Sequence, residues 1–478
     1  MSLAGLLSSR AGRGSAAPAA HLVGVCGSGM QALAELLSGM GWRVSGSDQE
    51  SPSDVTELLS RRGLVVHRGH EPGHLPHHAD VLVYSQAVGP ANAERQRAVR
   101  RGIPQLSYSQ MLGQLMSQRR GVSIAGTHGK STTTAMTAWL LDDAGLEPSA
   151  IIGARLLGRD ASGFAGAGEL MVVESCEYRR SFLDLAPHFA VITGIEADHF
   201  DCYLTLDEAV EAYGAFASSV SPEGLLLVSA DCPAATVAAQ RSRAKVETLG
   251  RRPGADWWAA DTRRTVAGSR FRLFYRGAFQ AEITVPVPGR HNVDNALASA
   301  AMAMTIGVDP RAVQEGMGDF PGIRRRFQSV GMWRGVTVID DYAHHPTAVR
   351  ATLETARQAY PGRRIWCAFQ PHQVSRTVAL LDDFAVSLSM ADRVLLLPIY
   401  GAREVSGGQD RRGRLVSEEL ADRIEAWQAE RMDQEPSCQL IPSLDHLVRT
   451  LDDDTRPGDV LITMGAGDID RVQYEFTR

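Results

Sequence analysis

Apolar residues along the chain fall into short runs, each closed by a glycine or polar cluster and many followed by a stretch with helical spacing. Residues 22–25, 43–47, 64–66 and 81–84 read as buried strands in the first quarter. Residues 122–125, 171–173 and 189–193 read likewise in the middle, and 335–340, 364–369, 394–397 and 460–464 in the last third. Helical patterns follow at 30–40, 135–144, 296–306 and 346–360, the last with Pro346 in its first turn. Continuous apolar strands alternating with helices predict parallel sheets covered on both faces, an α/β architecture. One segment departs from this: residues 270–275 and 278–285, split by Arg276-Gly277, read as an antiparallel hairpin.

At 478 residues the chain exceeds one core, and a prior of roughly 150 residues per domain predicts about three. Residues 1–20, rich in Ala, Ser and Gly with no continuous apolar segment, read as a disordered extension. The expected domains are then 21–119 and 331–478, both Rossmann-like, with 120–330 between them and 117–121 as the first linker. A net charge of -6 gives no reason to expect nucleic acid or a membrane surface as a partner, and no apolar run is long enough to span a bilayer. Six scattered cysteines without a C-x-x-C pair argue against a disulfide framework or zinc knuckle and fit a reducing cytoplasm.

The strongest chemical signal is Gly126-Thr127-His128-Gly129-Lys130-Ser131-Thr132, lying between a strand and a helix. Glycines let the backbone approach a ligand closely, and successive N–H groups with the helix N-terminus then face phosphate oxygens. Lys130 adds a full positive charge and the Ser131 hydroxyl a ligand for magnesium. Position 124, a glycine in the strict pattern, is isoleucine, so the loop is a shortened variant. An ordinary glycine turn accounts poorly for four hydroxyl residues after a lysine. Further along, Glu174 follows one strand, and Glu196, Asp198 and His199 follow another. Ser131 and Glu174 suit magnesium, which prefers hard oxygen ligands. His199 is a ligand or a group behind one.

Two further clusters sit at strand ends, the ligand edge of such sheets. Counted from Gly27, the run Gly27-Ser28-Gly29-Met30-Gln31-Ala32 is G-x-G-x-x-A, and Asp48 ends the next strand. That pattern serves a diphosphate and a ribose, or marks a tight βα turn in any parallel sheet. Ser85 closes the strand at 81–84. In the last third, Asp341-Tyr342-Ala343-His344-His345-Pro346-Thr347 and Gln370-Pro371-His372, with Arg376, point to an anion or amino-acid site. Asn292 and Asn295 share a helical face, where they serve an adenine or phosphate or cap the helix. Arg324, Arg325 and Arg326 are either a solvated run or a clamp on developing charge.

Taken in order, these motifs resemble the Mur ligase family from about residue 21 to the C-terminus. The resemblance implies a first domain for UDP-N-acetylmuramate, a central ATPase, and a last domain for L-alanine and part of the ATP site. It implies Lys130, Glu174 and His199 as catalytic, with Ser131, Glu174 and His199 around Mg2+. ATP would meet Gly126 to Thr132, Asn292, Asn295, Arg326 and Asp341. Substrates would meet Gly27, Ser28, Gly29, Met30, Asp48, Ser85, Tyr342, His344, His372 and Arg376. The implied reaction is ATP-dependent amide formation for peptidoglycan synthesis in the cytoplasm, by a monomer or weak homodimer. Three positions depart from the family pattern: Ser131 for threonine, Gly194 for asparagine, and Gln373 for arginine beside the carboxylate. A family alternative takes a tripeptide in place of L-alanine; the segment 180–183 and the chain length favour alanine. An NAD-dependent oxidoreductase would leave the Lys130 loop unexplained, and a nucleotide sensor would need no Glu174 or His199.

Overall fold

A computed structural model describes residues 17–50, 52–265, 267–401, 411–431 and 437–476. Three sheets organise it. The first holds β1 (Ala19–Val23), β2 (Arg43–Asp48), β3 (Val65–Arg68), β4 (Val81–Tyr84) and β5 (Gln105–Ser107). All are parallel, in the order β3-β2-β1-β4-β5. Helix α1 (Ser28–Gly39) leaves the turn after β1. The order reverses at β1, which opens a crevice at its carboxyl end.

The second sheet has ten strands. They are β6 (Arg120–Ala125), β7 (Ser149–Leu156), β8 (Ala161–Phe164), β9 (Leu170–Glu174), β10 (Phe189–Ile192), β11 (Leu225–Ser229), β12 (Lys245–Gly250), β13 (Trp257–Thr265), β14 (Gly268–Tyr275) and β15 (Ala278–Val285). Strand β6 lies between β10 and β9, parallel to both, while β13, β14 and β15 form an antiparallel end. Helix α2 (Lys130–Asp143) follows β6 and packs against α3 (Arg290–Ile306). Alanines on α3 keep the two helices close, and the hydroxyls of α2 are buried between them. A buried hydroxyl must be paired. Thr134 donates to the Lys130 carbonyl at 2.8 Å, and Thr133 to Asn295 Oδ1 at 3.2 Å.

The third sheet comprises β16 (Gln328–Trp333), β17 (Val336–Asp341), β18 (Ile365–Phe369), β19 (Arg393–Leu396), β20 (Cys438–Leu440) and β21 (Val460–Met464). Only β16 runs antiparallel to its neighbour. Helix α4 (Pro346–Ala359) follows β17, and α5 (Val374–Ala379) follows β18.

The first two lobes meet along a seam. Glu35 of α1 is buried and accepts from the backbone N–H groups of Ser162 and Gly163, both at 2.9 Å, and from Arg155 Nη1 at 3.1 Å. A side chain at Gly163 would collide with the Ala32 carbonyl oxygen at 1.8 Å, so only glycine permits this approach.

Two expectations need correcting. Strand β1 begins inside the stretch read as a disordered extension. Ala19 and Ala20 are buried, and Ala19 pairs with Arg43. Small residues suit a strand pressed between helices as well as they suit a tail. Residues 1–16 lie outside the described residues. The expected linker shortens too, since Arg120 and Gly121 already belong to β6. No helix among the described residues is long and apolar enough to cross a membrane.

Candidate active site

The three sheets turn their loops toward one cleft of about 780 Å³. From the first lobe come Gly27, Ser28, Gly29, Met30 and Ser85, with Tyr108. The middle lobe supplies Thr127 to Thr132, Glu174, Glu177, Asp198 and His199. The last lobe supplies Asp341, Tyr342, His344 and His345, with Arg326 from the connection into it. Loops at the carboxyl ends of parallel strands form the wall, as the sheet topology requires.

At the centre, Gly129 caps α2 with φ +79°, and a Cβ there would lie 2.4 Å from Asn295 Oδ1. Lys130 Nζ folds back onto its own loop. It donates to the carbonyls of Gly126 and Thr127 and pairs with Glu177 at 2.9 Å. Burial disfavours the ammonium, but Glu177 outweighs it and raises the Lys130 pKa. Glu177 is buried as well; Lys130 and His199 overcome that penalty and keep its carboxyl below the usual range. Ser131 Oγ donates to Glu174 Oε1 at 3.1 Å and accepts from Arg326 Nη2 at 3.2 Å. Glu174 also accepts from the Gly153 N–H at 2.6 Å.

His199 faces Glu177, with Nε2 3.5 Å from Oε1 and 4.0 Å from Asp198 Oδ2. Asp198 accepts from Arg376 Nε and Nη2 at 2.9 and 2.7 Å, a buried ion pair between the middle and last lobes. Burial works against ionising Asp198, but His199, Arg376 and His344 hold its carboxyl far below the ordinary range. His372 Nδ1 lies 3.2 Å from Arg376 Nη1, and its ring stacks with Tyr400. Burial drives the His344 pKa well down, with Arg376 adding to it, so the ring is neutral and bonds the Tyr342 carbonyl at 2.9 Å. Asp341 is buried on the backbone N–H groups of Phe327 and Ala343, both at 2.8 Å.

Five of the expected residues stand behind the lining: Gly126, Asp48, Asn292, His372 and Arg376. Asp48 Oδ2 accepts from the Cys26 N–H at 2.8 Å, so the carboxylate read as a ribose ligand buttresses the glycine turn. Asn292 bonds the Pro288 carbonyl at 2.7 Å and accepts from Asn295 Nδ2 at 3.0 Å, while Asn295 itself lines the cleft. Sequence reasoning passed over Glu177. The available signal was its spacing from Glu174, two acids three apart just past a strand end. It also passed over His291, which burial pushes down to about 4. Two buried polar atoms of the cleft wall, His291 Nδ1 and Arg326 Nε, lack a hydrogen-bond partner. That suits a wall built to receive a polar ligand.

The chain matches three sequence profiles in succession. They are Mur ligase family, catalytic domain, over residues 19–120, Mur ligase middle domain over 124–303, and Mur ligase, glutamate ligase domain, over 325–467. It is 39% identical over 462 residues to the UDP-N-acetylmuramate--L-alanine ligase of Salinibacter ruber, covering 95% of this chain and 94% of that one. With the enzyme of that name from Lawsonia intracellularis it shares 38% identity over 458 residues, covering 95% and 98%. Among solved structures, the UDP-N-acetylmuramate-alanine ligase of Thermotoga maritima superposes with a TM-score of 0.78 at 25% identity, covering 96% and 98%. A murein peptide ligase of Psychrobacter arcticus shares the fold, with a TM-score of 0.71 at 24% identity and the same coverage.

Proposed function

We propose, since the chain belongs to the Mur ligase family, that it joins L-alanine to the lactyl carboxylate of UDP-N-acetylmuramate at the expense of ATP, a step of peptidoglycan precursor synthesis. The observation that carries the reading is the convergence of three loop sets on one cleft: the Gly27 turn, the Lys130 loop and the 341–345 loop. A nucleotide sugar, a triphosphate and an amino acid each find a separate wall there.

A carboxylate resists attack by an amine because oxide is a poor leaving group. In the proposed reaction a lactyl oxygen attacks the γ-phosphorus, the bond to the β,γ-bridging oxygen breaks, and ADP departs. The alanine nitrogen then attacks the acyl carbon, loses a proton, and expels inorganic phosphate. Such chemistry depends chiefly on positioning and on stabilising charge. Lys130 would exchange its loop carbonyls and Glu177 for phosphate oxygens. Arg326, already on Ser131, would reach the same phosphates from the last lobe's side. Ser131 and Glu174 offer paired hard oxygens that fit Mg2+, which when bound would neutralise phosphate charge. His199, next to Glu177, would act beside that set.

The test measures ADP release by the purified protein with UDP-N-acetylmuramate, L-alanine, both or neither. Release is expected only with both. Equal ATP consumption without the sugar nucleotide would overturn the reading, and release with a murein tripeptide but not alanine would transfer it to the peptide ligases.

A further inference from the structure

We propose that His128, Glu196 and His345 form a second cation site, for a borderline divalent metal of the Zn2+ class, bridging the phosphate loop and the last lobe. One ligand atom from each of the three lies within 4.8 Å of the other two. His128 Nε2 stands 3.3 Å from Glu196 Oε2. That is about the separation of two ligand atoms held near 2.1 Å from a tetrahedral ion. The His128 and His345 rings are 4.8 Å apart between centroids.

His345 is only weakly committed. Its nitrogens make two long contacts, 3.3 Å to the Ala197 carbonyl and 3.3 Å to the Thr347 N–H, so one can be traded for a metal. The surroundings already orient the ligands. The Thr347 hydroxyl donates to Glu196 Oε2 at 2.7 Å, and the Glu196 N–H donates to Thr127 Oγ1 at 2.9 Å. Partners of this kind fix ligand geometry in metal sites. His128 and Glu196 keep part of their surface in solvent, which leaves an entry path and room for a water in a fourth position.

Two imidazoles and one carboxylate suit zinc, cobalt or nickel, whereas magnesium favours an all-oxygen set. The trio shares no residue with Ser131, Glu174 and His199. His128 sits inside the phosphate loop and His345 caps α4, so an ion bound there ties the two lobes together.

The test uses the full-length protein free of nucleotide and magnesium, titrated with Co2+ and followed by visible d–d absorption and calorimetry. Saturation at one equivalent is expected, with a band of nitrogen and oxygen ligation. Glu196→Gln and His345→Gln should each weaken binding about tenfold or more. Glu174→Gln and Cys176→Ser should leave it unchanged. Circular dichroism melts establish which variants are folded, and either of the first two suffices. The proposal fails if no band appears at stoichiometric cobalt, if a thiolate charge-transfer band appears in its place, or if Glu174→Gln removes the signal.

Discussion

Replacing Asp198 by Asn tests how the last lobe is held. The substitution keeps the shape of the side chain and removes its charge. Arg376 is left 3% exposed with no anion to pair with, and the Asp198 side chain it faces is 8% exposed. Breaking a buried ion pair from one side costs about 3–5 kcal/mol, because the remaining charge stays desolvated. The amide oxygen of Asn still accepts one bond, which places the expectation near the lower end, about 3 kcal/mol. The pair crosses between lobes, so the cost appears as separation of the last lobe before it appears as global unfolding. About 3 kcal/mol is a shift of roughly a hundredfold in that equilibrium. Hydrogen exchange read at α5, and urea unfolding followed by tryptophan fluorescence, measure the two quantities separately. Arg376→Met added to Asp198→Asn removes the orphaned cation and should restore most of the loss. A cost below about 1 kcal/mol, the range of exposed pairs, with no recovery in the double variant, would refute the account.

Lys130→Ala should abolish ADP release and also lower the melting temperature, because buried Glu177 loses its cation partner; full turnover in that variant would remove Lys130 from its proposed role. Gly129→Ala forces a side chain at φ +79° to within 2.4 Å of Asn295 Oδ1. A displacement of the loop by about 1 Å should cost roughly a hundredfold in kcat/KM for ATP, measured in steady state. Acid should destabilise the fold early. Burial lowers the His291 pKa to about 4, with Arg326, His128 and Arg251 adding to it, and lowers that of His344 well below its ordinary value. In the unfolded chain both rings titrate near 6.5. Their contribution is thus complete above that pH and is lost as pH falls toward about 4, His291 alone accounting for up to about 3 kcal/mol. Urea midpoints between pH 7.5 and 4.5 check this, and a flat profile contradicts it.

The strands that hold the ligand loops were legible because they are buried on both faces and bounded by glycine or acid. Residues 81–84 and 460–464 match β4 and β21 to the residue. Strand β13 escaped detection because its second half is exposed and polar, at the antiparallel end of its sheet. The hairpin of β7 and β8 escaped for another reason: its burial depends on α1 of a different lobe, and no local pattern records that. The phosphate loop was readable because its chemistry is contiguous in sequence. Glu177 and Asp198 were harder, since their partners Lys130 and Arg376 lie 47 and 178 positions away. The bond from the Cys26 N–H to Asp48 was not legible, because a strand-end carboxylate serves a ligand or a turn equally well and no local pattern records its backbone partner.

The seam around Glu35 bears on how this chain can be dissected. An excised first lobe would carry into water a carboxylate shaped to receive the amides of Ser162 and Gly163, and the remaining chain would lose the acceptor for both. Neither fragment is a detachable module. The first two lobes share one buried seam and stand or fall together, with the last lobe joined to them through the segment at 321–328.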